Sequence, residues 1–158
     1  MSNYIKALFI MLNAHKGQKD KGGHPYFLHP LRVSMATKSK RAKVVALLHD
    51  VLEDSNKYEI KDFNFLDEEQ EEALLLLTHN DSYEYLEYIK RIKQNKISRE
   101  VKLMDLKDNM NLKRLKKISN NDEKRLAKYK MARDMLLSWM YNEKSKKLSK
   151  NANFYKDI

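Results

Sequence analysis

Cysteine is absent from this chain. That excludes disulfides, thiolate metal sites and a cysteine nucleophile, so any bound metal must be held by histidine and carboxylate. Glycine and proline are nearly absent too, at three and two residues. All of them lie between Gly17 and Pro30. A chain so poor in breakers elsewhere is expected to be mostly helix, with one shaped loop where they cluster. No apolar run approaches the roughly 20 residues that a membrane-spanning helix needs. Met1 to Lys16 lacks the basic start, apolar middle and small-residue cleavage site of a signal peptide. A soluble cytoplasmic protein with no membrane partner is expected. A Lys-Ser/Thr pair after Gly22-Gly23 is missing, so the glycines make no P-loop, and there is no Gly-x-Ser-x-Gly elbow.

What is present is helical periodicity. The 158 residues suffice for one domain with a core of its own. Ile5, Leu8, Phe9 and Leu12 predict a first helix and its buried face. Pro30 is well placed as a first helical residue, opening a short helix to about Thr37. Val44, Val45, Leu47, Leu48 and Leu52 mark a buried helix from about Lys40. Asp67 with Gln70 reads as a capping box opening a helix through Leu77. Asp81 with Glu84 opens another, carrying Leu86, Ile89 and Ile92. Ile97 to Leu115 reads as one long helix. Asn120 with Glu123 opens the last, with Leu126, Tyr129, Leu136 and Met140. An all-α, single-domain bundle of about seven or eight helices is expected over residues 1–143, followed by a basic, frayed or lightly docked tail over 144–158 that ends in Phe154 and Tyr155.

Lysine and arginine number 32 against 22 acidic residues, a formal net charge of +10. Two readings stand. One is an anionic partner such as a nucleotide, a phosphate ester or nucleic acid. The other is lysine spread over solvated helix faces, since most lysines lie C-terminal to Ile89 at helical spacing.

Chemistry concentrates in three stretches. In Ala46-Leu-Leu-His-Asp-Val-Leu-Glu-Asp54, four ionisable residues follow an apolar run. On a continued helix His49 pairs with Glu53 at i, i+4, and Asp50 faces Glu53 and Asp54. Half-buried polar groups need partners, and a divalent cation satisfies several at once. In Val101-Lys-Leu-Met-Asp-Leu-Lys-Asp-Asn109, Asp105 and Asn109 stand at i, i+4 between apolar residues. In Pro25-Tyr-Phe-Leu-His-Pro30, His29 precedes a proline and so sits where a helix begins.

These motifs, with Ala14-His15-x-Gly17-Gln18, Asp20-Lys-Gly-Gly23 and Asp108-Asn109, resemble the HD-domain hydrolases of the Rel/SpoT type. Those enzymes remove pyrophosphate from the 3′ position of the alarmone ppGpp. The resemblance runs from about Ala7 to Leu137 and is nearest to small stand-alone HD proteins. It implies an HD-type helical bundle and a metal-dependent phosphohydrolase or pyrophosphohydrolase acting on a nucleotide or related phosphate ester. By similarity His29, His49, Asp50 and Asp105 are the metal ligands, Mn²⁺ being the expected ion. Glu53 and Asp54 are the catalytic acidic pair. Lys21, Tyr26, Lys102 and Asn109 bind substrate, Lys102 either by orienting Asp105 or by meeting phosphate.

The resemblance departs at Asp20, where the Rel/SpoT hydrolases carry an arginine that packs on guanine. It departs again at Gly22 and at Leu112, so the base pocket is expected to differ while the metal and acid residues match. His15 is expected to support the loop or touch substrate, His24 to be exposed, and His79 to partner a helix end. Tyr83, Tyr85 and Tyr88 are expected to pack. The competing functional reading is a metal-containing nucleotide- or nucleic-acid-binding module without turnover.

Overall fold

With glycine and proline confined to 17–30, little interrupts a helix elsewhere, and most of this chain is helical. The computed structural model describes residues 1–79, 84–115 and 117–154. The expected helix start at Asp81, together with Tyr83 and the C-terminal Tyr155, lies outside them. Among the described residues the helices are α1 (Asn3–Ala14), α2 (Leu28–Ala36), α3 (Lys40–Leu48), α4 (Val51–Asp54), α5 (Glu68–Leu77), α6 (Tyr85–Ile92), α7 (Lys96–Asn109) and α8 (Asn120–Phe154). Short 3₁₀ turns lie at Ile60–Phe63 and Leu112–Arg114. No strand occurs among the described residues; a single bridge pairs Lys19 with Pro25. This is the expected all-α helical bundle.

The centre is α3. Ser39 caps it by accepting a hydrogen bond from the Ala42 N–H, and Ala42 and Val44 to Leu48 are buried. Helices α1, α2, α5 and α7 pack around it. Burying Leu47 and Leu48, each with no exposed surface, contributes on the order of 2 kcal/mol apiece. The far end of this anchored helix carries His49 and Asp50.

Several expectations hold and several need correction. The Asp67–Gln70 capping box opens α5 as predicted. The first helix exists, but its buried face is Ala7, Met11 and Ala14, while Ile5, Phe9 and Leu12 are exposed. Ala7 and Ala14 let α1 lie close against α3 around Met11, while Ile5, Phe9 and Leu12 point away. The predicted helix over 97–115 stops at Asn109. The Asn111 side chain accepts from the Lys113 N–H and starts a 3₁₀ turn instead. The box that opens α8 is formed by Ser119 and Asp122, one residue earlier than the predicted Asn120–Glu123 pair. Helix α8 continues through Phe154 rather than fraying after Glu143, because nothing in that stretch interrupts a helix.

The helix expected to run unbroken through His49 is broken there. Helix α3 ends at Leu48, His49 and Asp50 form a turn, and α4 is a single turn. His49 Nδ1 hydrogen-bonds the Ala46 carbonyl at 2.7 Å. That carbonyl is the acceptor a continued helix would give to the Asp50 N–H, so the imidazole competes with the backbone for it.

Candidate metal and phosphate site

The turn after α3 aims two neighbouring side chains at the start of α2 and the middle of α7. His29, His49 and Asp105 are each at most 5% exposed, and each offers a ligand atom within 4.8 Å of the others'. His29 Nε2 lies 3.2 Å from Asp105 Oδ1 and 3.6 Å from Asp50 Oδ2. His49 Nε2 lies 3.2 Å from the same Asp50 oxygen and 3.8 Å from the same Asp105 oxygen. Ligand atoms about 2.1 Å from a six-coordinate ion sit roughly 3 Å apart when adjacent. The four His–Asp distances are at or a little beyond that spacing, and the group whose ligand atoms all lie within 4.8 Å of one another is His29, His49 and Asp105, without Asp50.

The donor chemistry also fits a cation. A carbonyl can only accept, so His49 carries its proton on Nδ1 when neutral, and its Nε2 presents a lone pair. That Nε2 is buried and, beyond its approach to the two carboxylates, has no well-aligned hydrogen bond among the described residues. His29 is set the same way: its Nδ1 lies 2.7 Å from Asp108 Oδ2. Two imidazole lone pairs thus face two carboxylate oxygens. Such an arrangement needs positive charge between them, either a second proton on an imidazole or a metal ion. Burial lowers the His29 pKa, but hydrogen bonds to Asp105 and Asp108 and the charges of Asp105 and Asp50 outweigh it and carry the value to about 10. The same field favours a divalent cation.

Each expected ligand is held by another group. Tyr26 donates its hydroxyl to Asp50 Oδ2 at 2.8 Å. Burial, then the Asp50 and Asp54 charges, push its phenol well above the ordinary range, so it stays a donor. Asp105 pairs through Oδ2 with Lys102 Nζ at 2.9 Å and accepts from Asn109 Nδ2 at 2.5 Å. Burial opposes ionisation of Asp105, yet Lys102 and the two imidazoles hold its carboxyl well below the usual range. Of the two roles expected for Lys102, the structure displays the contact with Asp105.

Glu53 and Asp54 project from α4 beside this cluster. The Glu53 carboxylate accepts from the His79 N–H at 3.0 Å. Gln18 donates to the Asp54 carbonyl at 2.9 Å, and the Gln18 side-chain oxygen meets His15 Nδ1 at 2.8 Å. His15 is thus buried beneath the loop, where it supports Gln18, and its ring lies 4.9 Å from that of Tyr26. Lost hydration raises the pKa of both Glu53 and Asp54, and the neighbouring Asp50 charge adds to it.

These residues form one end of a cavity of about 540 Å³. Lys21, Tyr26, Lys102 and Asn109, the expected substrate contacts, all line it. So do Lys19, His79, Tyr85, Tyr88, Leu112, Arg125, Lys128 and Tyr129. The α8 residues were missed because they stand far along the chain on a face that reads as ordinary solvated helix. Tyr85 and Tyr88, expected only to pack, also wall the cavity. Lys128 Nζ stands 4.3 Å from the Tyr85 ring centroid, a cation–π distance. The Tyr88 hydroxyl donates to the Leu77 carbonyl. His79 meets Tyr88 edge-on at 4.9 Å. The His24 side chain is 58% exposed, as expected. Asp20 lines the cavity too, and its Oδ1 accepts from the Gly22 and His24 N–H groups at 2.8 and 3.0 Å. It shapes the loop from inside.

The helical order and the buried His–Asp cluster at the end of α3 can be set beside known proteins. The chain is similar in fold to a solved metazoan ortholog of SpoT, described as hydrolysing ppGpp and playing a role in starvation responses. The TM-score is 0.69 at 20% identity, over 87% of this chain and 86% of that one. It is also 43% identical over 56 residues to the guanosine-3′,5′-bis(diphosphate) 3′-pyrophosphohydrolase of Borreliella burgdorferi, a match covering 33% of this chain and 8% of that protein. The chain thus matches a small part of the length of that relative. No family model matches the chain.

Proposed function

We propose that this chain is a metal-dependent phosphohydrolase of the HD type that acts on a nucleotide or related phosphate ester, with 3′-pyrophosphate removal from a ppGpp-like substrate as the specific reaction. One observation carries the reading. Two imidazole lone pairs and two carboxylates converge beside an acidic pair, inside a cavity whose other walls carry Lys19, Lys21, Arg125 and Lys128. The activity described for the fold neighbour and for the partial sequence relative points the same way.

His29, His49, Asp50 and Asp105 would hold a divalent ion, Mn²⁺ being the one the resemblance implies, while two imidazoles and two carboxylates also suit Fe²⁺, Co²⁺ or Zn²⁺. When bound, such an ion neutralises charge on a phosphoryl oxygen and acidifies water. The protein's own part follows from the contacts above. Tyr26, Lys102 and Asn109 fix the two carboxylates. Glu53, anchored by the His79 N–H, accepts the proton of the attacking water as the new P–O bond forms. The bond from phosphorus to the ribose oxygen breaks, and Asp54 lies on the same wall to manage the proton that oxygen needs. Lys21 and the α8 cations attract the remaining phosphates, and the tyrosines offer apolar faces for a base. A small anionic nucleotide in the cytoplasm is the partner this implies.

The test is release of pyrophosphate from ppGpp, screened beside nucleoside mono-, di- and triphosphates, by protein stripped of metal and then given Mn²⁺. Restoration of turnover by Mn²⁺ supports the reading. Equal hydrolysis by the stripped protein, or none with any phosphate ester, overturns it. The formal charge of +10 favours a second reading, a metal-containing nucleotide- or nucleic-acid-binding module without turnover. Steeply salt-dependent binding of RNA or DNA with no product would select it.

A further inference from the structure

Each expected ligand above is braced by a neighbour, and the brace on His29 carries a second, charged layer. His29 and Arg32 stand at i, i+3 on α2. Asp105 and Asp108 stand at i, i+3 on α7. The two pairs face each other. Asp108 Oδ2 takes His29 Nδ1 at 2.7 Å, while Arg32 Nε and a terminal Arg32 nitrogen donate to the two Asp108 oxygens at 2.7 and 2.9 Å. A guanidinium bound to both oxygens of a carboxylate fixes its plane as well as its position. Arg32 is 42% exposed and Asp108 only 13%, so the brace runs inward from solvent.

We infer that Asp108 is a positioning residue for the metal ligand His29, and that Arg32 acts on the metal only through Asp108. The inference rests on the metal reading above and deepens it. An ionised carboxylate only accepts, so Asp108 keeps the His29 proton on Nδ1 and turns Nε2 toward Asp50 and Asp105. It also enriches the imidazole with electron density, as a carboxylate behind a ligating histidine does. Arg32 balances the added negative charge, so the pocket gains orientation without a third uncompensated carboxylate. The arrangement joins α2 to α7 across the site, which ties the spacing of His29 and Asp105 to the bonding of two groups outside the ligand set.

The experiment is equilibrium binding of Mn²⁺ to the full chain freed of metal, with the Co²⁺ absorption spectrum as a second readout. Asp108→Ala is expected to weaken Mn²⁺ binding roughly 10- to 100-fold and to shift the Co²⁺ bands. Asp108→Asn keeps an acceptor without the charge and should fall between it and the unaltered chain. Arg32→Ala should show a smaller loss, and Arg32→Ala with Asp108→Ala should bind like Asp108→Ala alone. Melting of the metal-free variants should move little, which separates positioning from folding. Unchanged Mn²⁺ affinity and Co²⁺ spectrum in both Asp108 variants would overturn the inference. Additive losses in the double variant would overturn the part assigned to Arg32. If the unaltered chain binds neither ion, the metal reading itself fails, and the two failures are thereby distinguished.

Discussion

The two walls of the cavity are built on different rules. On the wall made by α2, the His49–Asp50 turn and α7, every side chain aimed inward is tied from behind: His29 by Asp108, His49 by the Ala46 carbonyl, Asp50 by Tyr26, and Asp105 by Lys102 and Asn109. On the wall made by α6, α8 and the loop at Lys19–Lys21, no expected ligand stands: Lys128 meets the Tyr85 ring, Tyr85 meets Tyr129, and Arg125 pairs with Asp122. Substitutions on the first wall should therefore act on metal affinity and turnover. Substitutions on the second should act on substrate affinity.

The largest effect should come from the ligands. His49→Ala should lose bound metal by elemental analysis and bring turnover to background, and retention of a stoichiometric ion would break the contrast. Glu53→Gln should keep the metal yet lower kcat by about 10²- to 10⁴-fold, the usual contribution of a general base. The pKa of Glu53 is raised by lost hydration and by the Asp50 charge. The base is active when ionised, so the rate should fall with decreasing pH through a value above that of an ordinary glutamate. The Gln variant should flatten that limb.

Asp105→Ala should be costly to the fold as well. It leaves Lys102, only 13% exposed, without its partner, and breaking a buried pair from one side costs about 3–5 kcal/mol. Chemical denaturation of metal-free protein measures this, and removing Lys102 as well should recover part of the loss. The smallest effects belong to the second wall. Lys128→Ala and Lys21→Ala should raise KM by about two- to fivefold, the range of exposed charge contacts, and make KM less sensitive to salt. A fall in kcat with unchanged KM in either variant would show that the two walls are not separable.

Much of this was legible in the chain. Confining every glycine and proline to 17–30 predicted the shaped loop, and the Asp67–Gln70 box predicted the start of α5. The His49-Asp50-x-x-Glu53-Asp54 run located the cluster. The break in the helix at His49 was not legible, because it depends on a side chain taking a carbonyl that periodicity assigns to the backbone. The face of α1 was misread for a related reason: Ala7 and Ala14 are weak apolar signals, yet their small size decides which side fits against α3. The brace from Arg32 through Asp108 joins positions 76 residues apart. The spacings His29-x-x-Arg32 and Asp105-x-x-Asp108 each hinted at a shared helix face, but which faces meet is settled only by packing.

The loop at Asp20 has a consequence for binding cost. Besides the two N–H groups on its carboxylate, its backbone exchanges bonds with His24 and Gly23, and Lys19 bridges to Pro25. Gly23 takes a left-handed φ of 85°, which a residue with a Cβ rarely adopts. Lys21 is displayed at the tip of a clasp already closed. A ligand reaching it need freeze only one side chain instead of a whole segment, sparing about 1–2 kcal/mol for each backbone residue that would otherwise have to be ordered.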